Sequence, residues 1–272
     1  MNKTILITGA TAGIGKETAV YFAKRGWNVY ATGRNIDRIQ DLKEKNIHVL
    51  YLDVKDVASI DTALAQIDKN SHKLDVLVNN AGYAQFGSIE DVPVEKARQQ
   101  FETNVFGLTE TTRKVIPLMR ENGQGRIINV ASIAGKVSMP GGAWYAATKF
   151  AVEAISDSLR WELKQFNIKV SIIEPGPISS NFGNTANQKA EFINKDSHYK
   201  SFYNLILNFG NLSKIGGTTE DVAKAIWKAA NKKQPKIRYK VTFAAKALAV
   251  LINILPTKLM DYFVIKYFSR ET

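Results

Sequence analysis

Cysteine is absent from the chain, and histidine occurs only three times in 272 residues. Without a thiol there is no disulfide framework and no thiolate metal site. His48, His72 and His198 stand in separate segments, no Gly-x-Ser-x-Gly elbow accompanies them, and no cluster of His, Asp and Glu has ligand spacing. Serine-hydrolase chemistry and a bound metal are therefore not expected. Nor is a secretory leader expected: "MNKTILITGA" reads as a strand-like apolar segment, without the basic start, longer apolar run and cleavage site of a signal peptide. A thiol-free chain fits a reducing compartment, and the expected location is cytoplasmic.

What is present is an ordinary globular balance, with 45% hydrophobic and 23% charged residues. The length suits one large α/β domain or two small ones. The formal charge is +12, and it is uneven. From Asn231 to the end, nine basic residues (Lys232, Lys233, Lys236, Arg238, Lys240, Lys246, Lys258, Lys266 and Arg270) face only Asp261 and Glu271, which is +7 for this tail and +5 for the rest. Such an excess raises nucleic acid or an anionic membrane as a partner. No nucleic-acid recognition motif accompanies it, and nucleic acid is not an expected partner.

Apolar runs rich in β-branched residues alternate with helical patterns. Strands are expected at 3–8, 28–32, 48–52, 74–79, 126–131 and 169–174, and helices at 14–25, 36–45, 57–70, 94–120 and 143–166. Strand cores such as "DVLVN" and "RIINV" are mostly apolar rather than alternating. Strands of that kind are buried on both faces, as in parallel sheets covered by helices. The order predicts a single-domain, Rossmann-type, doubly wound parallel α/β sheet with helices on both faces. Residues 1–240 would form the dinucleotide-binding and catalytic domain. A substrate lid is expected at about 177–215, with a helical patch at 190–212. A helix follows the cap-like "TTEDV", "KIRYKV" reads as a last strand, and 241–272 reads as a C-terminal amphipathic helical extension.

The segment "ITGATAGIGKET" decides which phosphates the chain holds. A Walker loop needs a glycine where Ala10 stands and a magnesium-binding hydroxyl where Glu17 stands. The dinucleotide reading fits better. Gly9, Gly13 and Gly15 lie between a strand and a helix, where a glycine-rich backbone approaches a pyrophosphate at the helix N-terminus. A glycine-rich turn without any ligand is the plain alternative.

This stretch, Thr-Gly-x-x-x-Gly-Ile-Gly, resembles the loop of the short-chain dehydrogenase/reductase family. "NNAG" at 79–82 follows the fourth strand, Asn104 lies on the next long helix, Ser132 follows the fifth strand, "YAATK" at 145–149 opens a helix, and Pro175-Gly176 follows the sixth. Each signal alone is weak; in this order over most of the chain they are highly specific. The resemblance implies cofactor contacts from Thr8, Gly9, Thr11, Gly13, Ile14 and Gly15, from Asn80, Ala81 and Gly82, and from Pro175, Gly176 and Ile178. It places Asp53 and Val54 on the adenine side. It makes Asn104, Ser132, Tyr145 and Lys149 the catalytic set, with Lys149 also on the nicotinamide ribose and Asn104 steadying Lys149 through water.

Tyr145 and Lys149 are four apart and share a helix face. A nearby ammonium favours the phenolate and is expected to draw the tyrosine down from its ordinary value of about 10. Tyr145 would then exchange a proton with a substrate oxygen that Ser132 holds. Singly, each residue has a structural explanation: a surface Tyr–Lys pair, a serine cap, an asparagine bonding nearby backbone. At the end of the second strand stand Ala31, Thr32 and Gly33, then Arg34, where an NAD enzyme usually carries a carboxylate. Arg34, assisted by Arg38, suits a 2′-phosphate, and NADP(H) is expected over NAD(H). Asp37 reads as an acidic residue of a helix's first turn.

The implied reaction interconverts an alcohol with a ketone or aldehyde; a catalytically silent NAD(P)-binding regulatory protein is the alternative. The pocket is expected between residues after Ser132, residues 83–86 and the segment 177–209. Phe182, Phe192, Phe202, Tyr203 and Phe209 in the lid suit an apolar, steroid-, retinoid- or lipid-like or bulky carbonyl, or pack within the lid. Ser179 and Ser180 stand where many family members carry threonine. The segment 241–255 is too short to span a bilayer and is interrupted by Lys246 and Asn253. It is open to peripheral membrane contact, or to packing on the domain, over the pocket or between subunits. The resemblance implies a homo-oligomer, dimer or tetramer.

Overall fold

In a computed structural model, residues 2–45, 47–179, 192, 197–199, 203 and 216–268 are described. The expected helical patch at 190–212, and with it Phe182, Phe202, Phe209 and Ser180, lies almost wholly outside the described residues. Strand β1 (Thr4–Ile7) leads into helix α1 (Gly13–Ala23) and strand β2 (Asn28–Gly33). Next come 3-10 turns over Ile36–Lys45, β3 (Ile47–Tyr51), α2 (Val57–Ser71) and β4 (Val76–Asn79). Helix α3 (Val94–Phe101) passes through a π turn (Glu102–Gly107) into α4 (Leu108–Glu121). Then follow β5 (Gly125–Val130), α5 (Ala143–Glu162), β6 (Ile168–Glu174), and the short strands β7 (Ile178–Ser179) and β8 (Gly217–Thr218). Helix α6 (Thr219–Asn231), β9 (Arg238–Lys240), α7 (Phe243–Ile254) and α8 (Thr257–Phe268) complete the described chain.

Seven strands form one sheet in the order β3-β2-β1-β4-β5-β6-β9, and every pairing is parallel. The expected doubly wound fold is what the chain forms. Ile5, Leu6 and Ile7 are fully buried; at roughly 1.5–3 kcal/mol each, such side chains drive the sheet inside. Alternate residues of β1 feed opposite layers. Ile5 and Ile7 join Phe22, Trp27 and Ile226 on the α1–α6 side, while Leu6 joins Ile60, Ile67, Val115 and Met119 on the α2–α4 side. Trp227 packs edge-on against Phe22, Trp27 and Tyr21, which locks α6 onto α1. Helix α6 starts where expected, with Thr218 and Asp221 in a reciprocal capping box.

Two elements differ from expectation. The 36–45 segment forms 3-10 turns broken at Ile39 (φ −132°, ψ 18°) rather than an α-helix. Residues three apart eclipse in such turns, which sends both Ile39 and Leu42 into the core. The helix expected at 94–120 is continuous but carries the π turn, and Asn104 sits within it.

The chain starts in the middle of the sheet, winds outward through β2 and β3, and crosses back to β4. Between β1 and β4 the winding reverses, and a crevice opens outside their carboxyl ends.

Candidate active site

The glycine loop lies in that crevice. Gly9 and Gly13 have φ of +67° and +56°, a region side chains disfavour. A Cβ on Gly9 would stand 2.6 Å from Ala81 Cα, and one on Gly15 2.5 Å from the Gly9 carbonyl. The loop is therefore pressed against the end of β4. Thr8 fastens it there. Its hydroxyl accepts from the Asn80 and Ala81 amides, each at 3.1 Å, while Asn80 Nδ2 donates to the Thr8 and Gly9 carbonyls at 3.0 Å. Thr8 is 1% exposed, so its side chain builds the loop. Helix α1 then begins with Ala12, which has no capping side chain, and with no acidic residue in its first turn. Its leading amides, with the helix dipole behind them, form an anion site. Ile14 is partly buried against the core, and Lys16 is engaged by Asp41 at 3.0 Å.

At the end of β2, Gly33 leaves room for the Thr11 methyl, which would lie 2.5 Å from a Cβ there. Arg34, Asp37 and Arg38 are exposed. Among the described residues neither arginine forms an ion pair, and the Arg34 charge reaches Tyr83, opposing part of the rise that burial imposes on that phenol. The Asp53 carboxylate accepts from the Lys55 amide at 3.0 Å. Val54, expected on the adenine side, points into the core: it is 5% exposed and stands against Gly107, where a Cβ would lie 2.6 Å from its methyl.

The residues expected to form the catalytic set converge. The Ser132 hydroxyl hydrogen-bonds Tyr145 and also accepts from the Ala134 amide at 3.1 Å, so it both caps its turn and meets the tyrosine. Lys149 is 8% exposed; its Nζ donates to the Val130 carbonyl at 2.8 Å and lies 5.7 Å from the centre of the Tyr145 ring. Burial pushes Lys149 down to about 8, against the pull of Glu153. Burial also pushes Tyr145 up to about 12, with the Ser132 bond opposing. The expected lowering of Tyr145 is thus not realised in the protein alone, where burial governs the phenol.

Asn104 is 1% exposed. Its Oδ1 accepts from the Tyr83 amide at 3.0 Å, and its Nδ2 donates to the Tyr83 carbonyl at 2.8 Å and to Thr148 Oγ1 at 3.1 Å. It joins the β4 loop to the second turn of α5, beside Lys149. Gly82 permits this, since a Cβ there would stand 3.0 Å from Asn104 Oδ1. The Ile133 amide donates to the Pro175 carbonyl at 2.9 Å, tying the Ser132 turn to the end of β6. A Cβ on Gly176 would collide with the Thr242 hydroxyl. Ile178 lies partly buried on β7.

Behind this set lies a buried charge cluster. Glu153 and Glu174 are 5% and 0% exposed. Lys136 reaches Glu153 at 2.7 Å and Glu174 at 3.7 Å; Arg238 Nε reaches them at 3.0 and 3.4 Å, and its outer nitrogen bonds Asp157 at 2.6 Å. Both Glu174 oxygens and Glu153 Oε1 receive no N–H or O–H bond among the described residues. The two carboxyls are neighbours behind Lys136 and Arg238, and burial followed by the Glu153 charge pushes Glu174 up to about 7. One proton between them meets that demand. The cluster clamps the turn after Ser132, helix α5, the end of β6 and β9 together.

Next to the set is a cavity of about 790 Å³. Lys136–Gly141 and Ala143, the stretch linking Ser132 to Tyr145, form one wall; Ile89, Phe150 and Tyr203 contribute others, and Leu255, Met260 and Val264 of the C-terminal segment close it. Residues 136–141 after Ser132 and Ser88–Glu90 line it, while Phe86 packs edge-on to Tyr145. Tyr203 turns inward and hydrogen-bonds Asp91 and the Ser88 amide.

A glycine cradle at a sheet's switch point, with a Ser–Tyr–Lys group at the adjoining strand ends, defines a nucleotide-dependent oxidoreductase of the doubly wound type. The chain belongs to the short-chain dehydrogenase/reductase family: the model described as "short chain dehydrogenase" matches residues 3–191. It is an NAD(P)-dependent member. It is 37% identical to a probable short-chain type dehydrogenase/reductase, VdlC, of Helicobacter pylori, over 94% of each chain. It is 33% identical to an NADPH-dependent 3-dehydrocapnine reductase of Ornithobacterium rhinotracheale (98% of each chain) and to a 3-ketodihydrosphingosine reductase of Bacteroides thetaiotaomicron (95% of each). Among solved structures, a short-chain dehydrogenase from Streptomyces avermitilis superposes with TM-score 0.83 at 29% identity, covering 98% of each chain. A serine dehydrogenase complexed with NADP+ gives 0.78 at 32% (89% of this chain, 95% of that one). A 3-ketoacyl-(acyl-carrier-protein) reductase from Brucella melitensis complexed with NADH gives 0.75 at 28% (88% and 96%).

The residues fit a nicotinamide dinucleotide. The uncapped start of α1 and the close-packed Gly9–Ala81 and Gly15–Gly9 contacts leave backbone amides, not side chains, facing a pyrophosphate. Thr148, Lys136, Glu153 and Glu174 were not singled out from sequence. Glu153 had a usable signal, an acid one helical turn past Lys149; Glu174 looks like any strand end until the fold buries it.

Proposed function

We propose that the protein uses NADPH to reduce the carbonyl of a long-chain, lipid-like molecule to an alcohol. A nicotinamide dinucleotide held by the glycine cradle would supply the hydride that the carbonyl carbon takes up. Ser132 donates a hydrogen bond to the carbonyl oxygen, and Tyr145 gives that oxygen its proton. Lys149, brought down to about 8, exchanges protons near neutral pH and restores the tyrosine. Asn104 acts through Tyr83 and Thr148 to keep the start of α5 in place. The same groups run the oxidation in reverse.

The observation that carries this reading is the hydrogen-bonded Ser132–Tyr145 pair one helical turn from a buried Lys149. Two further observations support the finer points. Arg34 and Arg38 stand exposed and without ion pairs among the described residues, where a 2′-phosphate would need cations. The cavity of about 790 Å³ carries Met139, Pro140, Phe150, Leu255, Met260 and Val264 in its walls, which suits an acyl chain. The relatives named for reducing 3-ketodihydrosphingosine and 3-dehydrocapnine lend the same support. A homo-oligomer and a cytoplasmic setting belong to the proposal as well.

The test is nicotinamide absorbance with a long-chain 3-keto amine and with a short, water-soluble ketone, using both cofactors. Expected is NADPH consumption with the long chain at a kcat/KM at least tenfold above the short ketone. Arg34→Asp should shift preference toward NADH by tenfold or more. Equal use of both ketones would remove the lipid reading, and an unmoved cofactor preference would remove the role of Arg34.

A further inference from the structure

Among the described residues, eight of the 17 large apolar side chains that stand exposed lie between Phe243 and Phe268. They are ordered. On α7, Phe243, Val250 and Ile254 recur at i, i+7 and i+11 and are 85, 54 and 71% exposed, whereas Ala245 and Ala249 face the body. On α8, Met260 and Val264 face the cavity, while Leu259, Tyr262, Phe263 and Ile265 face out beside Lys258 and Lys266. Lys246 is exposed on the flank of the α7 stripe, and Lys240 precedes it. Among the described residues none of these four lysines forms an ion pair, and the single acid of α7 and α8, Asp261, lines the cavity.

A protein partner of the same kind fits this face poorly. In a two-fold contact between copies, four lysines would meet their four counterparts with Asp261 as the single acid of these helices to answer them, and interface cores are depleted of lysine. An anionic bilayer offers what the face asks for: acyl chains for the apolar stripe and phosphates for the lysines. Neither helix is long and apolar enough to cross, so the pair would lie in the plane of the interface.

We infer that α7 and α8 dock on an anionic lipid bilayer, apolar stripe down, and present the cavity behind them to that surface. A lipid-like substrate then enters between Leu255, Met260 and Val264 without crossing water. The entry route rests on the substrate reading above; the docking does not.

Flotation of the full chain with phosphatidylglycerol–phosphatidylcholine vesicles, against phosphatidylcholine alone, tests it. The expected result is binding to the anionic vesicles, at least tenfold stronger than to neutral ones and weakened by salt. Combined Lys246→Glu, Lys258→Glu and Lys266→Glu, and separately combined Phe243→Ser, Ile254→Ser, Phe263→Ser and Ile265→Ser, should each lower that binding tenfold or more. Neither set should change turnover of a short soluble ketone, because none of these side chains reaches the Ser132–Tyr145–Lys149 group. Turnover of a vesicle-borne long-chain ketone should fall with both. Equal flotation of wild type and variants, or none at all, overturns the docking. So does a dimer that the serine variant splits while vesicles are ignored. Docking that holds while the short ketone remains the better substrate retains the surface and removes the entry route, along with the substrate reading.

Discussion

Tyr145 and Lys149 show how one helical turn of sequence can be chemically ambiguous until its surroundings are known. The spacing puts both on one face. What the spacing leaves open is whether the ammonium or the desolvation governs the phenol, and in the protein alone desolvation governs it. Tyr145→Phe removes the proton donor and the Ser132 partner while keeping the ring against Phe86. It is expected to lower kcat by about 10²–10⁴-fold, with NADPH binding by fluorescence titration unchanged; retained turnover would shift the proton to another group. Glu174 behaves differently. Its folded value, about 7, lies above its ordinary 4.5, so below about 4.5 it is protonated folded or unfolded, and above about 7 ionised in both. Between the two the folded state holds more proton, and stability falls as pH rises. Wild-type Tm should therefore drop by about 5 °C relative to Glu174→Gln as pH goes from about 5 to about 8; parallel Tm curves would count against the shared proton.

The loop between β1 and α1 joins the chemistry to the fold at the scale of an element. Its glycine spacing was legible because the backbone demands it: Gly9 needs positive φ and room against Ala81. Gly9→Ala should destabilise the protein by about 1–3 kcal/mol in chemical denaturation and weaken dinucleotide binding at least tenfold in the same preparation. Undiminished binding would place the pyrophosphate elsewhere. The sequence pattern of the 36–45 segment predicts a helix. The burial of Ile39 and Leu42 on the sheet selected 3-10 turns instead, a tertiary demand no local pattern displays. The π turn around Asn104 was equally invisible, since it serves contacts with Tyr83 and Thr148, which are 21 and 44 residues away.

For the whole molecule, apolar strands and alternating helices indicated the doubly wound sheet, and the reversal between β1 and β4 placed the crevice. The long helices also leave apolar surface: Phe150 and Trp161, 46 and 66% exposed, lie 11 residues apart on the same stripe of α5, and Phe106 is 57% exposed just before α4. A homo-oligomer through these helices should show as a dimer or tetramer in sedimentation equilibrium, and Trp161→Lys should shift it toward monomer; a wild-type monomer at micromolar concentration would dismiss it.

By itself the sequence determined the fold class and the glycine cradle, because these depend on local periodicity and backbone freedom, and its ordered motifs carried the family resemblance that proposes Asn104, Ser132, Tyr145 and Lys149 as the catalytic set. Only the tertiary structure decided the proton affinities of Tyr145 and Lys149, the pairing of Glu153 with Glu174, and the cavity wall built by α7 and α8. Those properties arise from burial and from contacts between segments distant in the chain, and desolvation has no signature in the order of residues.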